Sequence, residues 1–441
     1  MRKHGMRNDF SAISRRSLVT RGAKLAGAIA LVAAARSAFP GGAFAQARGP
    51  EVTKAILGYI ALMDASALVI AKENGIFAKY GMPDVEVSKQ ASWGTTRDNI
   101  ALGSEGNGID GAHILSPMPY LISTGRVTQN NIPVPLYVLA RLNLDSQAIS
   151  VADEYKNLKI GLNSAPLKAA LAAKKAKGEA VNIAMTFPGG THDLWIRYWL
   201  AAGGIDPDKE TAVITVPPPQ MVANMKVGNT EAFCVGEPWN EQLVNQKIGF
   251  TACMTGELWP LHPEKAFAMR AAWVDKYPNA AKAVLAAVME AQQWCEKMEN
   301  RPKVAEIVGR RQWFNVPVAD IQGRLMGDVN YGNGRVEKGT KQYMKFWANN
   351  ASYPFKSHDS WFLHEDIRWG YFEPTLDTKA LIDKVNREDM WREVAGMINV
   401  PKNEIPTSTS RGVEKWFDGK VFDPENPMAY LKSLDIKKVA V

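Results

Sequence analysis

The 441-residue sequence predicts an α/β fold of two lobes, linked by two crossover strands and extended by a helical C-terminal region. Three observations carry that prediction. Short apolar runs alternate with short helical patterns between residues 54 and 141, and the same alternation returns between residues 159 and 239. Beyond residue 240 the pattern lengthens to amphipathic helices.

The first lobe opens with the apolar run Lys54–Ile60, a buried strand. Asp64 or Ser66 caps a helix through Asn74 that Gly75 ends, and Ile76–Tyr80 adds a turn. Asp84–Ser88 is a second strand and Thr95–Leu102 a second helix. Ile109–Leu115 is a third strand, running into the proline-rich turn Ser116-Pro117-Met118-Pro119, and Pro135–Arg141 is a fourth. In the second lobe Lys159–Leu162, Val181–Thr186, Ala212–Val216 and Glu231–Val235 read as strands. Thr191–Ala202 reads as an aromatic-rich helix and Pro219–Lys226 as one opened by prolines. Gln147–Val151 and Val235–Trp239 are the expected crossovers. They place residues 48–145 and 240–441 in the first lobe and 146–239 in the second. Asn279–Glu299, with apolar residues at three- and four-residue spacings, is the clearest later helix, and the region to Val441 is expected to wrap the first lobe.

The net charge of +8 is unevenly placed. Residues 1–47 hold eight basic side chains against Asp9 alone, which leaves the rest of the chain near +1 and without a field for nucleic acid. The same segment has the features of an export leader. These are the twin arginines of Ser14-Arg15-Arg16-Ser17-Leu18-Val19, the alanine-rich stretch Leu25–Ala35, and the small-x-small patterns Ala43-Phe44-Ala45 and Ala45-Gln46-Ala47. No apolar run reaches the roughly 18 residues of a membrane span, and no cysteine near the cleavage site could carry a lipid. The remainder is therefore expected to be a free, monomeric periplasmic protein without stable membrane insertion.

Cys234, Cys253 and Cys295 show no metal-ligand spacing and read as buried apolar residues. His358 and His364, beside Asp359 and Glu365, match no common zinc pattern. Neither a phosphate loop nor a nucleophile elbow is present. No metal, cofactor or enzymatic activity is expected. Two α/β lobes, two crossovers and an export leader together describe a periplasmic binding protein of the type II-like kind, which holds its ligand in the cleft and closes by hinge motion.

Four motifs narrow the ligand: Ser92-Trp93-Gly94-Thr95-Thr96, Asp145-Ser146-Gln147-Ala148-Ile149, Gly189-Gly190-Thr191-His192-Asp193-Leu194-Trp195, and His262-Pro263-Glu264-Lys265-Ala266-Phe267-Ala268-Met269-Arg270. With Ile56–Ala65 before them, they make the chain resemble the nitrate-binding proteins of bacterial nitrate ABC importers, with bicarbonate-binding relatives close by. The resemblance covers almost the whole region after the leader. It implies ligand contacts at Trp93, Gly94, Gln147, His192 and Lys265, nitrate with nitrite as a second ligand, and an ABC permease and ATPase as partners. It also implies that the bicarbonate branch carries an acidic residue, working with calcium, where Lys265 stands. Many members of the family are lipoproteins, which this chain is not expected to be.

The chemistry of the five residues agrees. Nitrate is a planar monoanion whose oxygens only accept hydrogen bonds, so it needs converging donors and about one positive charge, with no carboxylate nearby. Gly94 and Thr95 open a predicted helix whose free N–H groups face an anion. Gln147 and His192 offer side-chain donors, Lys265 the cation, and Trp93 a flat wall with an indole donor. Each has an ordinary structural role open to it: core aromatic for Trp93, backbone partner for Gln147, helix cap for His192, solvated surface lysine for Lys265. The competing functional readings are binding of bicarbonate, a sulfonate or another small anion, and a cytoplasmic nitrate-sensing regulator of the same fold. The leader argues against the last.

Overall fold

The computed structural model describes residues 49–441; the export leader expected at 1–47 lies outside the described residues. Ten strands build two five-stranded sheets, and eight of them fall before residue 240. These are β1 (Ile56–Tyr59), β2 (Glu86–Lys89), β3 (Gly111–Leu115), β4 (Leu136–Arg141), β5 (Gln147–Ala152), β6 (Asn182–Met185), β7 (Ala212–Thr215) and β8 (Ala232–Gly236), followed by β9 (Gly249–Met254) and β10 (Lys265–Arg270).

The first sheet has the order β2-β1-β3-β10-β4, with β2, β1 and β3 parallel and β10 antiparallel to both neighbours. The second repeats the scheme as β7-β6-β8-β5-β9, with β5 antiparallel to both neighbours. Each sheet thus has a parallel half, closed by helical crossovers, and an antiparallel pair made of strands that enter from or leave for the other lobe.

Several expectations change. Lys159–Leu162 is not a strand: a short helical turn ends there at Lys159, whose φ of 52° breaks any extended run. The proline-rich segment after β3 opens a helix, because prolines are tolerated in a first turn. Gln147–Val151 is an interior strand of the second sheet rather than a bridge. Residues 249–254, expected in the first lobe, pair with β5 in the second sheet, so Val235–Trp239 is not the return crossover. The chain crosses at 142–146 and returns through 255–264. There Asp145 N donates to His262 O at 3.0 Å and Glu264 N to Asn143 O at 3.2 Å. Leu144 also pairs with Lys345, so a third segment joins the crossing.

Four helices frame the cleft: α1 (Ser66–Glu73), α2 (Trp93–Leu102), α3 (Met118–Ser123) and α4 (Thr191–Ala202). α2 is started by Ser92, whose hydroxyl accepts Thr95 N at 3.1 Å, and is followed by Gly103 at a φ of 68°. α4 starts after Gly189 (φ 68°) and Gly190. A Cβ on Gly190 would stand 2.5 Å from Leu115 at the end of β3, so glycine is what lets this second-lobe helix approach the first lobe.

The long helix after residue 277 is α5 (Pro278–Glu296), which packs on α1. The rest of the C-terminal region covers both lobes, not the first alone. Tyr331 O accepts Thr251 N at 2.8 Å along the edge of β9, and Val329 and Tyr331 pack on Ala148 and Met254. Arg324, fully buried, donates to Glu237 at 2.5 Å, Glu241 at 2.7 Å and Thr251 at 2.7 Å. On α6 (Lys356–Arg368), Trp361 stacks between Trp195 of α4 and Trp416, with ring centroids 5.0 and 5.1 Å apart. The three cysteines are buried and unpaired by disulfides. Among the described residues no helix is long and apolar enough to cross a membrane.

Candidate functional site

The parallel strands of both sheets end at the cleft, and the four motifs meet there. Lys265 opens β10 opposite Leu115, the last residue of β3. Gln147 opens β5, His192 lies in the first turn of α4, and Trp93 is the first residue of α2. The side chains of these four converge. Lys265 Nζ stands 3.4 Å from Gln147 Oε1 and 3.5 Å from His192 Nε2, and 6.0 Å from the centre of the Trp93 ring. His192 Nε2 donates to Gln147 Oε1 at 3.0 Å, while its Nδ1 is 2.6 Å from the Thr186 hydroxyl. Trp93 and Gly94 hold the first helical positions of α2, where backbone N–H groups have no acceptor within a helix. The Thr95 amide, expected to be free, is taken by Ser92. No side-chain contact marks Gly94; a Cβ there would meet only Ser92 Oγ, at 3.6 Å.

The expectation of a site without carboxylates is overturned. Lys265 Nζ lies 2.9 Å from Asp64 Oδ2 and 2.9 Å from Glu264 Oε1, and all three side chains are fully buried. Such acids are stable there because donors surround them. Asp64 receives His113 Nε2 at 2.5 Å and Gln147 Nε2 at 3.2 Å; Glu264 receives the Thr191 hydroxyl and Trp195 Nε1 at 2.7 Å. Asp64, His113 and Glu264 are the residues sequence reasoning missed. Asp64 and Glu264 lie inside quoted motifs, where Asp64 reads as a helix cap and Glu264 is given no role. The signal for His113 is a lone polar residue in the apolar strand Ile109–Leu115.

One glycine keeps the cluster in place. A Cβ on Gly236 would stand 2.5 Å from Gln147 Oε1 and 3.3 Å from Asp64 Oδ2, displacing the amide that links the lobes. Two buried polar atoms beside the cluster have no partner, the indole nitrogen of Trp93 and Nδ1 of His113, and their rings are 5.3 Å apart.

Burial opposes every charge in the cluster, and the outcome differs by group. Burial resists ionisation of Asp64, but Lys265 and His113 outweigh it and hold the carboxyl well below its usual range. Glu264 is likewise lowered against burial by Lys265, His192 and His262. Lys265 is raised against burial by the same two carboxylates. His192 is pushed down to about 3 by burial and then by Lys265, so it is a neutral donor near neutral pH. His113 is lowered by burial, which prevails over the pull of Asp64.

These shifts set the sign of acid stability. Below about pH 6.5 the unfolded chain protonates histidines that folded His192 and His113 refuse. Below about pH 4 it also protonates carboxylates that Asp64 and Glu264 keep ionised. The urea midpoint is therefore expected to fall from pH 7 to pH 5 and again towards pH 4. A midpoint that rises on acidification would contradict the assignment of neutral histidines.

Residues 48–309 match the profile of the NMT1-like family. Over 391 residues the chain is 60% identical to the nitrate/nitrite binding protein NrtA of Synechocystis, covering 88% of this chain and 86% of that one. The chain belongs to the NMT1-like family and groups with the NrtA proteins. The crystal structure of the periplasmic nitrate-binding protein NrtA from Synechocystis PCC 6803 has a TM-score of 0.86 to this fold, covering 88% of this chain and all of that chain at 60% identity. The bicarbonate-binding protein CmpA of Synechococcus elongatus is a more distant relative, 44% identical with 88% of each chain covered. The chain is also 31% identical to the nitrate import ATP-binding protein NrtC of Synechocystis, over 90% of this chain and 58% of that protein. The relatives that match along their full length are solute-binding proteins of ABC importers, not enzymes.

Proposed function

We propose that this protein captures nitrate, with nitrite as a second ligand, in the cleft between its lobes and delivers it to an ABC importer. The observation that carries the reading is the convergence of Lys265, His192 and Gln147 within 3.5 Å across the two sheets, with Trp93 above the ammonium. A planar acceptor-only monoanion meets an ammonium, an imidazole N–H and the first amides of α2, with Gln147 able to turn its N–H₂ towards it. Similarity to NrtA proteins over most of the chain supports the same ligand, and similarity to NrtC supports an ABC partner. Domain limits follow sheet membership, 49–146 with 255–319 in one lobe and 147–254 in the other, with the tail from 320 against both. The leader at Arg15-Arg16 directs twin-arginine export to the periplasm.

Lys265 separates nitrate from bicarbonate. Its ammonium stands between Asp64 and Glu264, where a metal cation held by an additional acid would otherwise balance them. Calorimetric titration of the purified protein with nitrate, nitrite, and bicarbonate with and without calcium tests this. Nitrate is expected to bind with a Kd of about 1 μM, about 8 kcal/mol, and bicarbonate to give no heat in either condition. Binding of bicarbonate only in calcium would reject the reading.

A further inference from the structure

The charge balance of the site leaves a question that the ligand contacts do not answer. Asp64 and Glu264 contribute two negative charges and Lys265 one positive charge, all fully buried. With neutral histidines the cluster is already anionic before nitrate arrives. A buried site of that sign repels a further anion unless a proton comes with it.

Few atoms can take that proton. Both oxygens of Asp64 already accept hydrogen bonds, from His113, Gln147 and Lys265, and both oxygens of Glu264 accept them from Thr191, Trp195 and Lys265. An O–H on either acid would face a donor. His192 uses Nδ1 against Thr186 and Nε2 against Gln147. His262 uses Nε2 against the Thr255 hydroxyl at 2.7 Å and Nδ1 against Pro263 O at 3.1 Å. His113 differs. Its Nε2–H is held by Asp64, and its Nδ1 is a buried lone pair with no partner.

We propose that His113 is a further residue of the anion site, taking one proton on Nδ1 from solvent with each anion bound, so that nitrate is captured together with a proton. The inference rests on the nitrate reading above. Protonation turns the Asp64–His113 contact into an ion pair and brings the cluster to neutrality before the anion is counted. The groups that bear on His113 are Asp64 from the turn after β1, Glu264 and Lys265 from the start of β10, and His192 from the first turn of α4. His113 is uncharged in the free protein because burial outweighs Asp64. The bound anion supplies what Asp64 alone does not.

The test is calorimetric titration of sodium nitrate into the purified protein at pH 7.5, in phosphate and in Tris, with affinity followed from pH 6 to 8.5. One proton taken up per anion is expected, seen as a difference in heat equal to the difference in buffer ionisation heats. Above neutrality the affinity is expected to weaken about tenfold per pH unit. His113→Gln, which keeps an N–H towards Asp64 but cannot take the proton, is expected to bind at least about tenfold more weakly at pH 6.5, with heats independent of buffer. Nitrate binding with equal heats in both buffers and a flat pH profile would overturn the proposal while leaving nitrate capture intact. Absence of nitrate binding at every pH would sink the capture reading and the proposal together. The wild-type buffer pair decides even if the variant does not fold.

Discussion

Lys265→Glu is expected to abolish nitrate binding. The substitution removes the cation from a fully buried cluster and leaves three carboxylates where two were held by one ammonium. Losing one partner of a buried, hydrogen-bonded charge pair costs about 2–5 kcal/mol, and reversing the charge adds repulsion of the incoming anion. Loss of the pair alone moves the Kd for nitrate from about 1 μM to roughly 30 μM–5 mM, and the added repulsion carries it beyond what calorimetry at millimolar nitrate detects. Retention of wild-type affinity in a folded Lys265→Glu variant would remove Lys265 from the site. Lys265→Met separates the two contributions. It loses the cation without adding an anion, and should bind more weakly than wild type while unfolding at lower urea, because Asp64 and Glu264 then share a buried space uncompensated.

The second large effect concerns stability. Arg324 is buried among Glu237, Glu241 and Thr251, and all three of its guanidinium nitrogens donate to them. Arg324→Met keeps the volume but leaves Glu237, fully buried, without its cation. Breaking such a pair from one side costs about 3–5 kcal/mol. The urea midpoint should fall clearly, and the double variant with Glu237→Gln should recover part of the loss. If Arg324→Met unfolds at the wild-type urea concentration, the network contributes nothing net and the tail is held by its apolar contacts alone.

How much of this was legible in the sequence depends on whether the signal is local. β1 to β4 and the helices between the first three follow from apolar runs bounded by glycines, all within ten or so positions, whereas neither Asp64 nor Ser66 caps α1 and the segment after β3 is a helix rather than a turn. Ser92 caps α2 and the Gly189-Gly190 pair introduces α4, as short-range signals should. β9 and β10 are different. Gly249–Met254 and Lys265–Arg270 are short apolar runs of the kind that helices also contain, and what makes them strands is pairing with β5, and with β3 and β4, about a hundred residues or more away. The wrapped tail was likewise illegible, since nothing near Arg324 or Tyr331 names Glu237 or Thr251 as a partner.

The site divides in the same way. Trp93, Gln147, His192 and Lys265 were reachable through their motifs, and the structure brings their side chains together. Asp64 and Glu264 were not, because a carboxylate beside an anion site reads as an obstacle, and His113 was not, because it stands alone in an apolar strand outside the motifs. Only the distances show that Asp64 and Glu264 hold the lysine and that Asp64 accepts from His113.

The placement of the tail has a consequence for the order in which the protein is made. The second sheet is contiguous from Gln147 to Met254, yet its outer strand β9 finds the backbone partner Tyr331 and its buried arginine Arg324 only some seventy residues later. A nascent chain that has just released β9 from the ribosome therefore holds an unfinished edge and two unmatched glutamates. The lobe that reads as an autonomous segment of sequence is completed only when most of the polypeptide exists, and its folding waits for the segment around Arg324 and Tyr331. For a protein proposed to leave the cytoplasm already folded, that timing sets the earliest moment at which export can begin.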